Sequence, residues 1–550
     1  MSYRPHVQLP THEVFNQAPN LQDYDLFGTD VVLQEAVERE GAGWAKGRLT
    51  AFGTALGSFE IQEAGRLANV NGPILRSFNR QGERLDEVEF HPAYHQFFSL
   101  AMAHEQHSIA WTTTERGGHV AHTALGYMAG QIEAGSGCPT TMTYAVVPSL
   151  RHEPKVAAEW IPRVTRNVYD PRLIPADQKT SATIGMSMTE KQGGSDVRTN
   201  TTRAVRDGDA YRLTGHKYFC SAPMCDAFLT LGQAEGGLTC FLVPRFLPDG
   251  TRNNFFIQRL KDKLGNKSNA SSEIEYNHTY AQRVGDEGRG VRTILEMVHH
   301  TRLDCTTAAA ALGRQAFVQA AHHATHRKAF GKRLIEQPLM RNVLADLAVE
   351  IEAQTALAMR MARAYDDSEQ DPVAGQLARI GIAISKYWTN KRCPTVVAEA
   401  MECLGGGGYV EESILPRLYR EAPLNGIWEG SGNVICLDVL RALSRQPEVA
   451  DALIAEIDLT RGANAALDAA VDRLKVELRD PTNAEYRARR TTELAAVTLQ
   501  ASLLIRNSPK AVSDAFLTTR LGDGGYAFGT LPVGTDVGTI LSRAWAPVDA

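Results

Sequence analysis

Glu429 is the residue whose type and surroundings best suit proton transfer. It stands in Ile427-Trp428-Glu429-Gly430-Ser431-Gly432-Asn433, one carboxylate between an indole and glycines. A carboxylate beside apolar surface has a raised pKa, which suits a general base. A solvated loop glutamate fits the same string. A second stretch, Met186-Ser187-Met188-Thr189-Glu190-Lys191-Gln192-Gly193-Gly194-Ser195-Asp196, joins hydroxyls to a glycine pair. Such a loop can bring backbone N–H groups and hydroxyls to an anionic or carbonyl-rich ligand, and an ordinary turn has the same composition. In Gly215-His216-Lys217-Tyr218-Phe219-Cys220-Ser221 an aromatic precedes a hydroxyl by two residues. That spacing can flank a planar ring, or mark a strand with one buried face. Arg327-Lys328-Ala329-Phe330-Gly331-Lys332 brings cations to a helix end, where they complement the dipole. An arginine beside a Phe-Gly turn can also fork onto a phosphate. No Gly-x-Gly-x-x-Gly opens a βαβ unit, so a Rossmann site is not expected. The pairs His104/His107 and His322/His326 have helical spacing but no matching third ligand, so no metal site is expected.

These stretches need elements to hold them. The first third reads as helical: Val31 to Glu40 is amphipathic, Tyr94, Phe97, Phe98 and Ala101 share one face, and His119 to Ala134 is rich in helix formers. From Ile184 to about Arg283, short apolar or alternating runs lie between turn signals such as Asp207-Gly208 and Glu235-Gly236-Gly237, which predicts hairpins. Helical periodicity returns after Gly290, with Leu344, Leu347 and Ile351 on one face and an alanine-rich run from Leu303 to His326. Beyond Pro447, the stretches Ala452–Leu459, Ala465–Leu478 and Leu494–Leu504 are amphipathic. Segregated runs of this kind predict an α+β chain. The expected units are residues 1–183 (helical), 184–287 (β), 288–446 (helical bundle) and 447–550 (additional helices).

The 550 residues suffice for several cores. At 43% hydrophobic and 22% charged the chain reads as globular. A formal net charge of −5 excludes a broadly basic surface, so any nucleic-acid contact must be local. The N-terminus lacks a signal-peptide pattern, and no apolar run approaches the roughly 20 residues of a membrane span, so no membrane partner is expected. Eight cysteines without repeated Cys-x-x-Cys spacing fit a reduced, cytoplasmic compartment.

Taken in order, the four stretches resemble the signatures of the acyl-CoA dehydrogenase flavoproteins. Met188-Thr189-Glu190 with Gly194-Ser195-Asp196 resembles the first, Arg327 with Phe330-Gly331 the dimer-contact motif, and Gly406-Gly407-Gly408-Tyr409 with Trp428-Glu429-Gly430-Ser431 the C-terminal one. Val14-Phe15-Asn16-Gln17, Glu40-Gly41-Ala42-Gly43-Trp44, Gly65 to Asn71, and Leu260-Lys261-Asp262-Lys263-Leu264-Gly265-Asn266 are similar to the AidB branch. Members of that branch contain FAD, are linked to the response to DNA alkylation, and carry an added C-terminal helical domain.

The resemblance implies an acyl-CoA dehydrogenase-like fold: an N-terminal α-helical domain, a middle β-domain, a C-terminal four-helix bundle and an extra helical domain. It implies FAD held by Met186, Met188, Thr189, Ser195, Phe219, Cys220, Ser221, Arg327, Phe330, Trp428, Gly430, Ser431 and Asn433, with Arg327 reaching a neighbouring subunit of a homotetramer. Glu429 aligns with the base that removes the α-proton of an acyl-CoA. A minority of the family places its base before an arginine, where this chain has Thr301, which cannot serve. Three positions depart from the family: Lys191-Gln192 replaces Pro-Gly or Pro-Ala, Ala329 replaces Gln, and Trp428 replaces Tyr, the last narrowing an acyl pocket. The function implied is that of a flavoprotein of the DNA alkylation response with weak or vestigial dehydrogenase activity, binding double-stranded DNA through Arg441, Arg445, Arg487, Arg489, Arg490 and Arg520. The alternative is a working dehydrogenase whose C-terminal helices serve assembly only.

Overall fold

The computed structural model describes residues 5–546. Helices fill the first third, but it is not purely helical. A hairpin of β1 (Ile74–Phe78) and β2 (Arg84–Glu89) interrupts it. Asn79 builds its turn, its side-chain carbonyl accepting from the N–H groups of Gln81 and Glu83. This local hydrogen bonding competes with helix formation, and hydrophobic periodicity does not register it. Helices α1 (Gly118–Ile132) and α2 (Gly137–Leu150) follow.

The middle of the chain forms one sheet from β3 (Ile184–Ser187), β4 (Arg203–Asp207), β5 (Ala210–Ser221), β6 (Ala227–Ala234), β7 (Gly237–Pro244), β8 (Phe255–Leu260) and β9 (Ser271–Val284). The strands run in the order β3-β6-β4-β5-β9-β7, with β8 on β9, and a β6–β7 pairing curls the sheet back on itself. The expected hairpins are present. β4 meets β5 around Gly208 (φ +63°), and β6 meets β7 in register from Ala227↔Pro244 to Ala234↔Gly237. Gly208 and Gly237 take up positive φ there, a conformation open to glycine at little cost.

Three long helices form the bundle: α3 (Gly290–His326), α4 (Pro338–Asp367) and α5 (Pro372–Cys403). Asp371 caps α5 by accepting from the Val373 N–H, and Pro372 occupies its first turn, where no amide donor is needed. Leu344, Leu347 and Ile351 are buried, as their spacing predicts. Helix α6 (Gly432–Arg445) completes the bundle, and α7 (Glu448–Asp458), α8 (Ala465–Arg479), α9 (Ala484–Asn507) and α10 (Val537–Ala544) are added to it. Helix α9 packs on α4, α5 and α6, so the added helices share one apolar core with the bundle. No helix among the described residues is long and apolar enough to cross a membrane.

Candidate functional site

Glu429 lies in a turn just before α6, in left-handed backbone (φ +56°), followed by Gly430 at φ +100°. A non-glycine residue there is strained and persists only when its surroundings over-determine it. Two buried cations supply that constraint. The Lys386 ammonium, on α5, donates to the carbonyls of Trp428 (2.7 Å) and Gly430 (2.6 Å). Arg302, on α3, donates through Nε to the carbonyl of Glu429 itself at 3.1 Å. Three consecutive carbonyls are thus drawn inward. Arg302 is in turn held by Asp438 at 2.7 Å, a carboxylate it shares with Arg379.

The Glu429 carboxylate accepts from the Thr301 hydroxyl at 2.8 Å. Burial raises its pKa above the usual carboxylate range, opposed by the Thr301 hydrogen bond and by the charges of Lys386 and Arg302. Thr301 therefore occupies the position before the arginine as a partner of the Glu429 carboxylate. Trp428 donates its indole N–H to Asn425 at 2.7 Å, which fixes the ring beside the carboxylate.

Across from this turn stands the β-sheet. The β5–β9 register shifts between Lys217 and Cys220. This bulge breaks the alternation of the strand, so Lys217 and Cys220 both point inward while Phe219 is 47% exposed. Cys220 is fully buried among the sheet's apolar residues, and burial pushes its thiol pKa up to about 12. Cys220 thus faces the sheet core, whereas Phe219 and Ser221 lie on the other side of the strand, Phe219 exposed and Ser221 half-buried. The Lys261 ammonium lies 4.4 Å from the Phe219 ring centre and 3.4 Å from that of Tyr218, a cation–π pairing that steadies the aromatic face.

The loop from Met188 to Thr202 is pinned from beneath by Glu190, whose side chain is wholly buried. Its carboxylate accepts from Lys217 (2.8 Å), from the N–H and hydroxyl of Thr201 and from those of Thr202. Burial alone would raise the Glu190 pKa, but Lys217 and these donors hold it well below the carboxylate range. The pinned loop leaves Ser195 exposed and Thr189 half-buried, and the Thr189 carbonyl accepts from the Tyr218 N–H at 2.8 Å. Met186 is buried in the sheet core and Met188 is half-buried at its edge.

The remaining candidates lie apart. Arg327 donates to the carbonyl of Asn16 at 2.6 Å, and Asn16 also bonds both backbone groups of Lys328. The following turn pushes Phe330 out to 97% exposure. Ser431 occupies the residue before α6 without a side-chain capping bond, and Asn433 is exposed and accepts from Arg489 at 2.8 Å. Arg441, Arg445, Arg489 and Arg490 are exposed, Arg441 lying 3.7 Å from Asp438, which Arg302 and Arg379 already hold. Arg487 and Arg520 are only partly exposed and are paired. Arg487 pairs with Glu477 and with Asp480 at 3.2 Å, while Arg520 is nearly buried against Asp346 (2.7 Å) and Glu350 (3.2 Å). Their charges are neutralised within the chain. Of the histidine pairs, His322 donates to the Pro19 carbonyl and His326 to that of His322.

Comparison with known proteins agrees with this geometry. Residues 16–171 match the Adaptive response protein AidB N-terminal domain, residues 185–279 the acyl-CoA dehydrogenase middle domain, and residues 288–444 the acyl-CoA dehydrogenase C-terminal domain. The chain is 48% identical to AidB of Escherichia coli K12 over 93% of its own length and 95% of that protein's. It is 32% identical to Acyl-CoA dehydrogenase family member 11 of Caenorhabditis elegans, over 73% of this chain and 67% of the relative. The crystal structure of C. elegans ACDH-11 in complex with C11-CoA superposes with a TM-score of 0.85 at 25% identity, covering 95% of both chains. A glutaryl-CoA dehydrogenase from Mycobacterium smegmatis, solved with FADH2, shares the fold at a TM-score of 0.53 and 18% identity, over 70% of this chain and 94% of that one. The chain belongs to the acyl-CoA dehydrogenase family of FAD-binding proteins, in its AidB branch.

Proposed function

We propose that this protein holds FAD between the Phe219/Ser221 wall and the Glu429 turn, and that Glu429 is the base for α,β-dehydrogenation of an acyl thioester. The observation that carries this reading is the Glu429 turn itself: a carboxylate with a raised pKa, in strained backbone fixed by Lys386 and Arg302. The residues present fit a flavin. Phe219 offers a half-open aromatic face, Ser221 a hydroxyl on the same side of the strand, and the loop around Gly193 open space with the Thr189 and Ser195 hydroxyls nearby. Bound FAD would supply the acceptor for the β-hydride. Glu429 would take the α-proton onto its carboxylate, and the Thr301 hydroxyl would keep that carboxylate in one orientation. The Trp428 indole would narrow the space for the acyl group and favour short acyl-CoAs.

Anaerobic mixing with short, branched and long acyl-CoAs tests this. At least one should bleach the flavin absorbance, and Glu429→Gln should abolish bleaching while FAD stays bound. An unbleached flavin across the panel refutes the dehydrogenase reading.

A second reading rests on the exposed arginines Arg441, Arg445, Arg489 and Arg490. Their positions on α6 and α9, two helices packed together, support a phosphate-binding face for double-stranded DNA. Phe330, almost wholly exposed beside Arg327, supports assembly with further copies of the chain into a homotetramer.

A further inference from the structure

Behind the Phe219/Ser221 wall lies a short hydrogen-bond chain that begins at an ammonium. Lys263, in the loop between β8 and β9, donates to the Ser271 hydroxyl at 3.0 Å and to the Asn269 carbonyl. Ser271 faces Ser221 directly across the β5–β9 ladder, with the two hydroxyl oxygens 3.2 Å apart. An ammonium can only donate. Ser271 therefore accepts from Lys263 and has its own hydrogen free for Ser221, whose hydroxyl also lies beside the Cys138 thiol. A chain of this kind polarises in one direction.

The loop's other lysine makes a contrast. Lys261 is neutralised by Glu273 at 2.9 Å. Among the described residues no carboxylate lies within ion-pair distance of Lys263, and Glu421 acts on it only from farther off. Burial lowers its pKa to about 8. Cys138, from α2, and Glu421, in the segment after α5, oppose that shift.

Resting on the reading of Ser221 as a flavin neighbour, we propose that Lys263 is a positioning residue that acts through Ser271 and Ser221 to make the bound flavin easier to reduce. A hydride carries one proton and two electrons, so the ring that accepts it gains one unit of negative charge. A cation at the end of a polarised chain, with no carboxylate in direct contact, stabilises that form over the oxidised one.

The test is the flavin midpoint potential of the purified holoprotein, measured without acyl-CoA. Lys263→Met should lower the potential, Ser271→Ala should lower it in the same direction, and the double variant should be no lower than Lys263→Met alone. Lys263→Arg should restore most of the shift. An unchanged potential in Lys263→Met, or fully additive shifts, overturns the proposal. Ser221→Ala separates the two readings. If it shifts the potential while Lys263→Met and Ser271→Ala do not, only the chain is refuted. If none of the three shifts it, the assignment of Ser221 to the flavin falls as well. Ser271→Ala removes a single hydroxyl and keeps the test decisive should Lys263→Met fold poorly.

Discussion

At the scale of single residues, the site is a carboxylate whose backbone is controlled more tightly than its side chain. Lys386→Met would leave the Trp428 and Gly430 carbonyls without their donor, at a cost of about 1–3 kcal/mol each. It would also remove a cation that lowers the Glu429 pKa. The sign follows: without that cation Glu429 binds its proton more tightly and is ionised only at higher pH. A general base works ionised, so the acidic limb of the pH profile of flavin bleaching should move upward in Lys386→Met. A limb that stays in place would show that Lys386 only supports the fold. Glu429 was legible in the sequence because its neighbours are diagnostic, an indole on one side and Gly-Ser-Gly on the other. Lys386 was not, because it is one lysine within a long helix on another element and nothing local marks it. Thr301 was noticed but read as unable to act, since chain order does not reveal that its hydroxyl meets the Glu429 carboxylate.

At the scale of elements, the strand–loop unit around Glu190 matters most. Removing one partner of a fully buried ion pair leaves an uncompensated charge and costs about 3–5 kcal/mol. Lys217→Met should therefore lower the thermal midpoint and weaken FAD retention, as the Thr189–Ser195 loop loses its pin. Undiminished FAD binding in a destabilised variant would separate the loop from the cofactor. The turn signals of the sheet were readable from Gly and Asp positions. Two features were not. The β5 bulge depends on its pairing with β9, so nothing local in the sequence shows that Lys217 and Cys220 both face the core. The β1–β2 hairpin turns on one asparagine within a third that otherwise reads as helix.

At the scale of the whole molecule, the added helices decide how charge is presented. A net charge of −5 does not prevent a local basic face, but it makes the individual partner of each arginine decisive. Arg441→Ala and Arg489→Ala should each weaken double-stranded DNA binding and reduce the slope of log affinity against log salt by about 1. Arg520→Ala should leave that slope unchanged while destabilising the fold, because it strands Asp346 in the interior, whereas Glu350 keeps Arg392 at 3.2 Å. Equal slopes for all three variants would refute the division between exposed and neutralised arginines. Clustering along the chain suggested six candidates, and only the folded partners divide them. The order helices, sheet, helices was legible because periodicity changes sharply near Ile184 and Gly290.

The contacts of α4 also set a timetable for the protein's birth. Asp346 waits for Arg520, and Glu352 waits for Arg543, which also reaches Glu35 near the chain's start. On the ribosome, these acidic groups emerge on the order of ten seconds before the arginines that neutralise them. Until then the growing bundle carries bare carboxylates on a surface destined for the interior. Its final closure is a late event, completed when α10 draws the first and last parts of the polypeptide together.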